Sequence, residues 1–165
     1  MSDILNYIGK TPLIQVAPKL FAKLETYNPT GSIKDRMAYY VLTKAASSGN
    51  TGISFSMLGS VKGYKVIIIL PCNMSEERKQ MIRLFGATII EVGESDFKGA
   101  IELRDKMVEE NENYFSPNQF ANPDNIDCHT WTTGMEIKQE LIRRGEEKIA
   151  AIVSGGGTGG TIMGT

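Results

Sequence analysis

Apolar and polar positions along the chain follow two periods in turn, one typical of strands and one typical of helices. The run Tyr64–Leu70, apolar in its second half, and the run Thr88–Val92 are typical of strands covered on both faces. Apolar residues spaced three and four apart predict helices between them. The predicted strands cover 21–25, 64–70, 88–92, a short stretch opening at 114–115, and 148–153. The predicted helices cover 33–46, 51–62, 75–85, 97–111 and 133–144. Strands alternating with helices of this length predict an α/β fold with parallel sheets and crossover connections.

Composition and charge narrow the class of protein. The chain has 165 residues, 41% of them hydrophobic and 22% charged, as in a globular domain with a real core. A net charge of −1 without a basic cluster argues against nucleic-acid binding. The longest apolar run is too short to cross a membrane, and the start lacks the pattern of a signal peptide. We expect a cytoplasmic protein without a membrane or nucleic-acid partner.

Cysteine and histidine content bears on redox state and metals. Cys72 and Cys128 are the two cysteines, and we interpret them as free thiols in a reducing compartment. One histidine and two scattered cysteines do not make a metal-ligand set, so no metal site is expected.

The segment from Asn28 to Arg36 places a lysine at the start of a helix. Its first residues, Asn-Pro-Thr-Gly, predict a turn, and Ser32 is suited to cap the helix that follows. Lys34 would then lie in the first turn, where an ordinary lysine is solvated and inert. A reactive lysine needs burial that lowers its pKa, so that the amine can be neutral near pH 7. Asp35 and Arg36 are expected to form an ion pair supporting the helix.

Two further segments have the chemistry of anion binding. Ser47–Gly52 offers three hydroxyls, one amide side chain and the N–H groups of a helix start, although an ordinary capping turn has the same composition. Gly155–Thr161 follows an apolar run, and its glycines let backbone N–H groups converge on an anion. It lacks the third glycine of a dinucleotide fingerprint, because residue 162 is isoleucine, and it has no Gly-Lys-Ser/Thr of a P-loop.

An amine, a hydroxyl-and-amide loop and a glycine-rich anion cradle are what pyridoxal phosphate (PLP) and an amino-acid substrate require. These three segments, in this order, resemble the cysteine synthase (O-acetylserine sulfhydrylase) family of fold-type-II PLP enzymes. The resemblance begins at the segment Ile8-Gly9-Lys10-Thr11-Pro12-Leu13 and extends to the last residue.

The resemblance implies a role for each matching residue. Lys34 would carry the covalent link to PLP, and His129 would be structural. The phosphate would be held by Gly157, Thr158, Gly159, Gly160 and Thr161, with Asn50 also facing the cofactor ring. The substrate carboxylate would be bound by Ser47, Ser48, Gly49, Asn50, Thr51 and Gln119.

The resemblance also implies an architecture: three-layer parallel sheets with flanking helices, like the β subunit of tryptophan synthase, in a homodimer. Residues 1–37 and 145–165 would belong to a larger PLP domain, and 38–144 to a smaller mobile subdomain. Family members are longer, which implies a C-terminal half beyond residue 165. Two joins, near 20/21 and 46/47, lack the length for a full strand-loop-helix unit, so we expect segments of a longer gene product to be missing there.

The implied reaction is β-replacement or β-elimination on an L-serine derivative or L-cysteine, with sulfide or another thiol as co-substrate. It would make L-cysteine from O-acetyl-L-serine and sulfide, or release hydrogen sulfide in reverse. Cystathionine β-synthase shares the motifs, and a serine/threonine dehydratase shares the cofactor. Ser32-Ile33-Lys34 and Gly49-Asn50-Thr51 favour β-replacement over the dehydratase. A non-catalytic partner-binding homologue is a further alternative, against which an intact Lys34 argues.

Overall fold

A computed structural model describes residues 3–44, 52–119, 121–146 and 148–165. The chain is mixed α/β and divides into two compact units, one of Met1–Val41 with Phe120–Thr165 and one of Leu42–Gln119. We call them the lysine unit and the sheet unit. Each is described by itself.

The lysine unit combines an N-terminal hairpin with helices from both ends of the chain. Its elements are β1 (Leu13–Ala17), β2 (Leu20–Lys23), the start of α1 (Lys34–Lys44), α5 (Asp124–Cys128), a π-helical turn (His129–Gly134), α6 (Met135–Arg143) and α7 (Gly160–Gly164), with 3-10 turns at Asp3–Tyr7 and Glu25–Tyr27.

The predicted strand at 21–25 is present as β2, but it pairs antiparallel with β1 rather than in a parallel sheet. Ile14 lies opposite Ala22, and the hairpin closes through Pro18 and Lys19, with Lys19 at a φ of 58°. A two-residue turn can join only antiparallel strands. The chain near the suspected gap at 20/21 is therefore a tight turn through Pro18 and Lys19 in this structure.

The sheet unit contains the parallel pair that the apolar runs predict. Its elements are α2 (Gly52–Lys62), β3 (Ile67–Pro71), α3 (Glu76–Leu84), β4 (Thr88–Val92) and α4 (Phe97–Glu110). β3 and β4 pair in parallel, with Ile68 opposite Ile89. Ile68 and Leu70 pack with Ile82 of α3 into one buried cluster, as expected for a strand–helix–strand crossover.

Several predicted boundaries are confirmed by local chemistry. The Asp96 side chain accepts a hydrogen bond of 2.8 Å from the Gly99 amide and so caps α4. Gly63 and Gly86, which directly follow α2 and the turn after α3, have φ of 75° and 79°. Glycine adopts this left-handed backbone without the cost that a Cβ would impose.

The region beside β3 differs from prediction. Tyr114 and Phe115 form no strand; they are exposed and line a cavity of about 810 Å³ together with Ile67, Ile69 and Phe55. Within the described ranges β3 pairs with β4 alone, so its other edge has no ladder partner for an extended segment. A strand exists only where a neighbour accepts its hydrogen bonds.

The predicted strand at 148–153 is also not formed. Its apolar residues are exposed, with Val153 at 95% of its full accessibility. No described strand pairs with this segment. Its apolar composition favours a strand, but none of the described residues form a strand that hydrogen-bonds to it.

Two expectations from composition concern the thiols and the membrane. Cys72 is exposed and Cys128 is buried, and both are free, as predicted. No helix among the described residues has the length and apolar character needed to cross a bilayer.

Candidate active site

Lys34 is the first residue of α1, as the turn-and-cap pattern predicts. Its amide donates to the Ser32 hydroxyl over 3.2 Å, and its side chain is half-buried. Burial lowers the pKa of the Lys34 amine, while the nearby Cys128 thiol acts in the opposite direction. The direction of this shift is the one that a nucleophilic lysine requires.

The turn before Lys34 is held by Asp35. Its fully buried carboxylate accepts from the Thr30 amide at 2.7 Å and from the Thr30 hydroxyl at 2.5 Å. Gly31, between them, has a φ of 74°, which permits the sharp turn. These contacts fix the direction in which the chain enters α1.

Arg36 has different partners from the expected Asp35. The guanidinium is 2% exposed and donates to both oxygens of Glu136, at 2.7 and 2.8 Å, and to both oxygens of Glu25, at 2.7 and 2.9 Å. Two bidentate pairs satisfy a buried charge that would otherwise be costly. Glu136 lies 100 residues away in sequence, so this partner could not be read from spacing.

The same cluster ties the hairpin to α6. Lys23 donates to Glu136 at 2.6 Å and to the Thr11 carbonyl at 2.5 Å. Burial acts to raise the pKa of Glu136, but the hydrogen bonds from Arg36 and Lys23 lower it to about 2. A Cβ at Gly9 would lie 2.9 Å from the Arg36 guanidinium, so Gly9 leaves room for the cluster. We call Lys23, Glu25, Arg36 and Glu136 the buried ion cluster, after the buried Arg36 to which the partly buried Glu25 and Glu136 are bound.

The glycine-rich loop has the open backbone that an anion requires. Ideal Cβ atoms at Gly155, Gly156, Gly157 and Gly159 would have no described neighbour within 4 Å. Gly159 has a φ of 81° and directly precedes α7. This exposed run of backbone, with two threonine hydroxyls at 158 and 161, fits the phosphate of PLP.

The inner side of the loop is closely packed against α5 and the π-helical turn. A Cβ at Gly160 would collide with the Asn125 side chain, and one at Gly164 with the Ile126 carbonyl. The Asn125 amide nitrogen donates to the Thr158 hydroxyl at 2.8 Å. The glycines of the loop and of α7 therefore divide into an open outer group and an inner group that permits close helix contact.

His129 contacts the loop from the π-helical turn. Its Nδ1 lies 2.9 Å from the Thr133 hydroxyl and its Nε2 lies 3.3 Å from the Thr161 hydroxyl. Burial lowers the pKa of His129 to about 4, and the charges of Lys34 and Arg36 act in the same direction. The imidazole is thus neutral at pH 7 and part of the packing, in line with the structural role that the resemblance implies.

The predicted site residues fall in different parts of the structure. Lys34 and the loop Gly157–Thr161 both belong to the lysine unit, and His129 lies close to both. Gln119 is buried in the sheet unit. Ser47, Ser48, Gly49, Asn50 and Thr51 lie outside the described residues. Asn125 and the buried ion cluster were missed by sequence reasoning, since neither has a local sequence signal.

Comparison with known proteins identifies the family. Residues 4–165 match the family model described as pyridoxal-phosphate dependent enzyme. The chain therefore belongs to this family of PLP enzymes, and its fold is of fold-type II, as expected from the motifs.

Individual relatives refine this placement. The chain is 36% identical to a cysteine synthase of a Flavobacterium species over 98% of its own length and 58% of that protein. It is 34% identical to a probable cysteine synthase of Bacillus subtilis (strain 168), over 100% of this chain and 60% of the relative. It thus spans less than two thirds of the length of these relatives.

Similar solved structures include enzymes of the same kind as the sequence relatives. A hydrogen sulfide-producing enzyme from Fusobacterium nucleatum superposes with a TM-score of 0.88 at 43% identity, over 96% of this chain and 54% of that one. A cysteine synthase from Entamoeba histolytica superposes with a TM-score of 0.86 at 35% identity, over 99% and 55%. The expected cofactor class, PLP, is confirmed by the family.

Proposed function

We propose that this protein performs PLP-dependent β-replacement or β-elimination on L-serine derivatives or L-cysteine. The observation that carries the proposal is the half-buried Lys34 amine, with its lowered pKa, in the same compact unit as the open glycine-rich loop. Bound PLP supplies an electron sink for removal of the substrate α-proton. The named functions of the relatives, cysteine synthesis and hydrogen sulfide production, are two directions of this chemistry.

The chain's own residues have these proposed roles. Lys34 Nζ would hold PLP covalently, and as a free amine it would accept the α-proton of the substrate. The backbone and hydroxyls of Gly157, Thr158, Gly159, Gly160 and Thr161 hold the phosphate. Ser47, Ser48, Gly49, Asn50, Thr51 and Gln119 bind the substrate carboxylate, with Asn50 also against the cofactor ring.

The direction of the reaction has two candidates. Cysteine synthesis is supported by the curated relatives, and hydrogen sulfide release by the Fusobacterium structure at 43% identity. Assays of L-cysteine formation from O-acetyl-L-serine and sulfide, and of sulfide release from L-cysteine, separate the two. Cystathionine formation with homocysteine and deamination of serine or threonine are the alternative outcomes. Bound PLP without any of these activities would favour the non-catalytic homologue.

Assembly, location and domain motion belong to the same proposal. We propose a cytoplasmic homodimer, in which residues 38–144 form a smaller mobile subdomain and the ends of the chain form a larger domain. The compactness of Leu42–Gln119, which lies within 38–144, supports this division. Closure of such a subdomain on the substrate would exclude water from the reaction.

Replacing Gly159 with valine tests the phosphate loop. A β-branched side chain at a φ of 81° would stand where the backbone is open to the anion, so PLP affinity should fall at least about tenfold. The affinity is measured by fluorescence titration of the apoprotein.

Gly145→Val is the matched control for that experiment. Gly145 also has a positive φ, 76°, and an open Cβ position. It lies just after α6 and outside the glycine-rich loop. It should show the same backbone strain while retaining PLP. Parental affinity in Gly159→Val would place the phosphate elsewhere.

Alanine at Asn50 or Thr51 tests substrate binding. Each variant should keep PLP attached but lose the spectral change that O-acetyl-L-serine, O-phospho-L-serine or L-cysteine causes, because a carboxylate-binding donor is gone. Stopped-flow absorbance measures this, with the exposed Ser60→Ala as a control for loss of a hydroxyl. Normal spectral changes in both variants would remove this loop from the site.

A further inference from the structure

Both threonine hydroxyls of the glycine-rich loop are contacted from behind by a buried nitrogen-bearing side chain. Asn125, 2% exposed, donates from Nδ2 to Thr158 Oγ1 at 2.8 Å. His129, fully buried, places Nε2 at 3.3 Å from Thr161 Oγ1. Asn125 and His129 are four residues apart, across α5 and the start of the π-helical turn, so they reach the loop from one continuous helical segment.

The direction of these hydrogen bonds decides what the loop can offer an anion. A hydroxyl has one proton to donate, and its oxygen can accept at the same time. If the buried nitrogen donates to the oxygen, the hydroxyl proton is left for a ligand. If the hydroxyl instead donates its proton to the buried side chain, it has no proton left to donate to a ligand. In the amide orientation of this structure, Asn125 Nδ2 faces Thr158 and donates to it, which leaves the Thr158 proton for the outer side.

For His129 the direction depends on the tautomer. A neutral imidazole has one donor and one acceptor nitrogen, and the two hydroxyls that flank it are those of Thr133 and Thr161. Thr133 is 3% exposed and one helical turn from His129. The alternative tautomer would direct the Thr161 proton inward, away from the phosphate that the loop is proposed to hold.

We propose that His129 carries its proton on Nε2 and donates it to Thr161 Oγ1, while Nδ1 accepts from Thr133. Asn125 and His129 are then positioning residues that make both loop hydroxyls donors to the phosphate of PLP. This inference rests on the proposed function and adds to it how the phosphate site is oriented. The packing of α7 holds the arrangement, since a Cβ at Gly164 would lie 2.8 Å from His129 Cβ.

The tautomer can be read without any cofactor. His129 is the single histidine of the 165-residue sequence, and in ¹⁵N-histidine-labelled protein its imidazole is identified as the signal that disappears in His129→Gln. Long-range ¹H–¹⁵N correlation on the apoprotein at pH 7 should show a protonated Nε2 and an unprotonated Nδ1. The reverse assignment, or a doubly protonated ring, would overturn the inference.

Two variants test the consequence for binding. In His129→Gln the longer side chain can place an amide donor near the Nε2 position, whereas in His129→Asn the shorter one reaches only the Nδ1 position. We expect near-parental affinity for PLP and inorganic phosphate in the glutamine variant and about a tenfold loss in the asparagine variant. Thr161→Val should lose a similar factor in affinity for PLP and inorganic phosphate. The double variant with His129→Asn should bind them little more weakly than Thr161→Val alone, because His129 acts through the Thr161 hydroxyl.

The outcomes separate this inference from the proposed function. Equal affinities of His129→Gln and His129→Asn, or additive losses with Thr161→Val, would overturn the inference while the parent still binds PLP. A parent that binds no PLP would overturn the proposed function. Melting temperatures of the apoproteins show which variants are folded; if His129→Asn is not, the NMR assignment and the Thr161→Val affinity decide.

Discussion

Replacing Lys34 with alanine is expected to abolish covalent attachment of PLP and to lower turnover by about 10³-fold or more, because both the cofactor link and the proton acceptor are lost. The absorbance of the cofactor-bound protein and borohydride reduction followed by peptide mapping measure the attachment. Lys98→Ala is the control, because its side chain is 88% exposed and makes only a surface ion pair with Glu102 among the described contacts.

The same mapping can contradict the assignment. The pyridoxyl label should appear on the peptide that contains Lys34 and disappear in Lys34→Ala. A label on Lys23, Lys44 or Lys62 in the parent would overturn the role of Lys34 and the mechanism that depends on it.

Replacing Arg36 with alanine is expected to lower the free energy of unfolding by about 3–5 kcal/mol, because it leaves the Glu25 and Glu136 carboxylates without their buried cation. Urea unfolding followed by circular dichroism measures the loss. PLP attachment should weaken as well, since Arg36 lies in the same first turn of α1 as Lys34.

Arg83→Ala is the matched control for this experiment. Arg83 pairs with Glu76 at 2.9 Å, but both side chains are more than half exposed, so its removal should cost less than about 1 kcal/mol. A similarly small loss in Arg36→Ala would show that the buried ion cluster does not support the lysine unit.

The parts of the fold with a local cause were predictable. The parallel run at 88–92 has the bounds observed for β4, and the Asp96 cap starts α4 where predicted. The position of Lys34 at a helix start follows from turn and capping chemistry within a few residues. In each case the residues that decide the conformation are neighbours in sequence.

The predictions that were wrong concern features that depend on residues distant in sequence. Residues 148–153 have strand composition, but no described strand pairs with them. The predicted helix from 133 begins earlier, at Asp124, and passes through a π-helical turn where His129 contacts Thr133 and the loop. Arg36 pairs instead with Glu25, in the 3-10 turn that follows the hairpin, and with Glu136 of α6.

The sequence alone determined which chemical groups the chain can offer and where along it they lie: the Lys34 amine, the glycine-rich loop and the family to which they point. Tertiary structure alone decided what surrounds them. The pKa of Lys34, the partners of Arg36 and the contacts of Asn125 and His129 with the loop depend on burial and on side chains brought together from distant segments. Burial and distant contacts are properties of the folded chain, because charge solvation and hydrogen bonding act through space and not along the sequence.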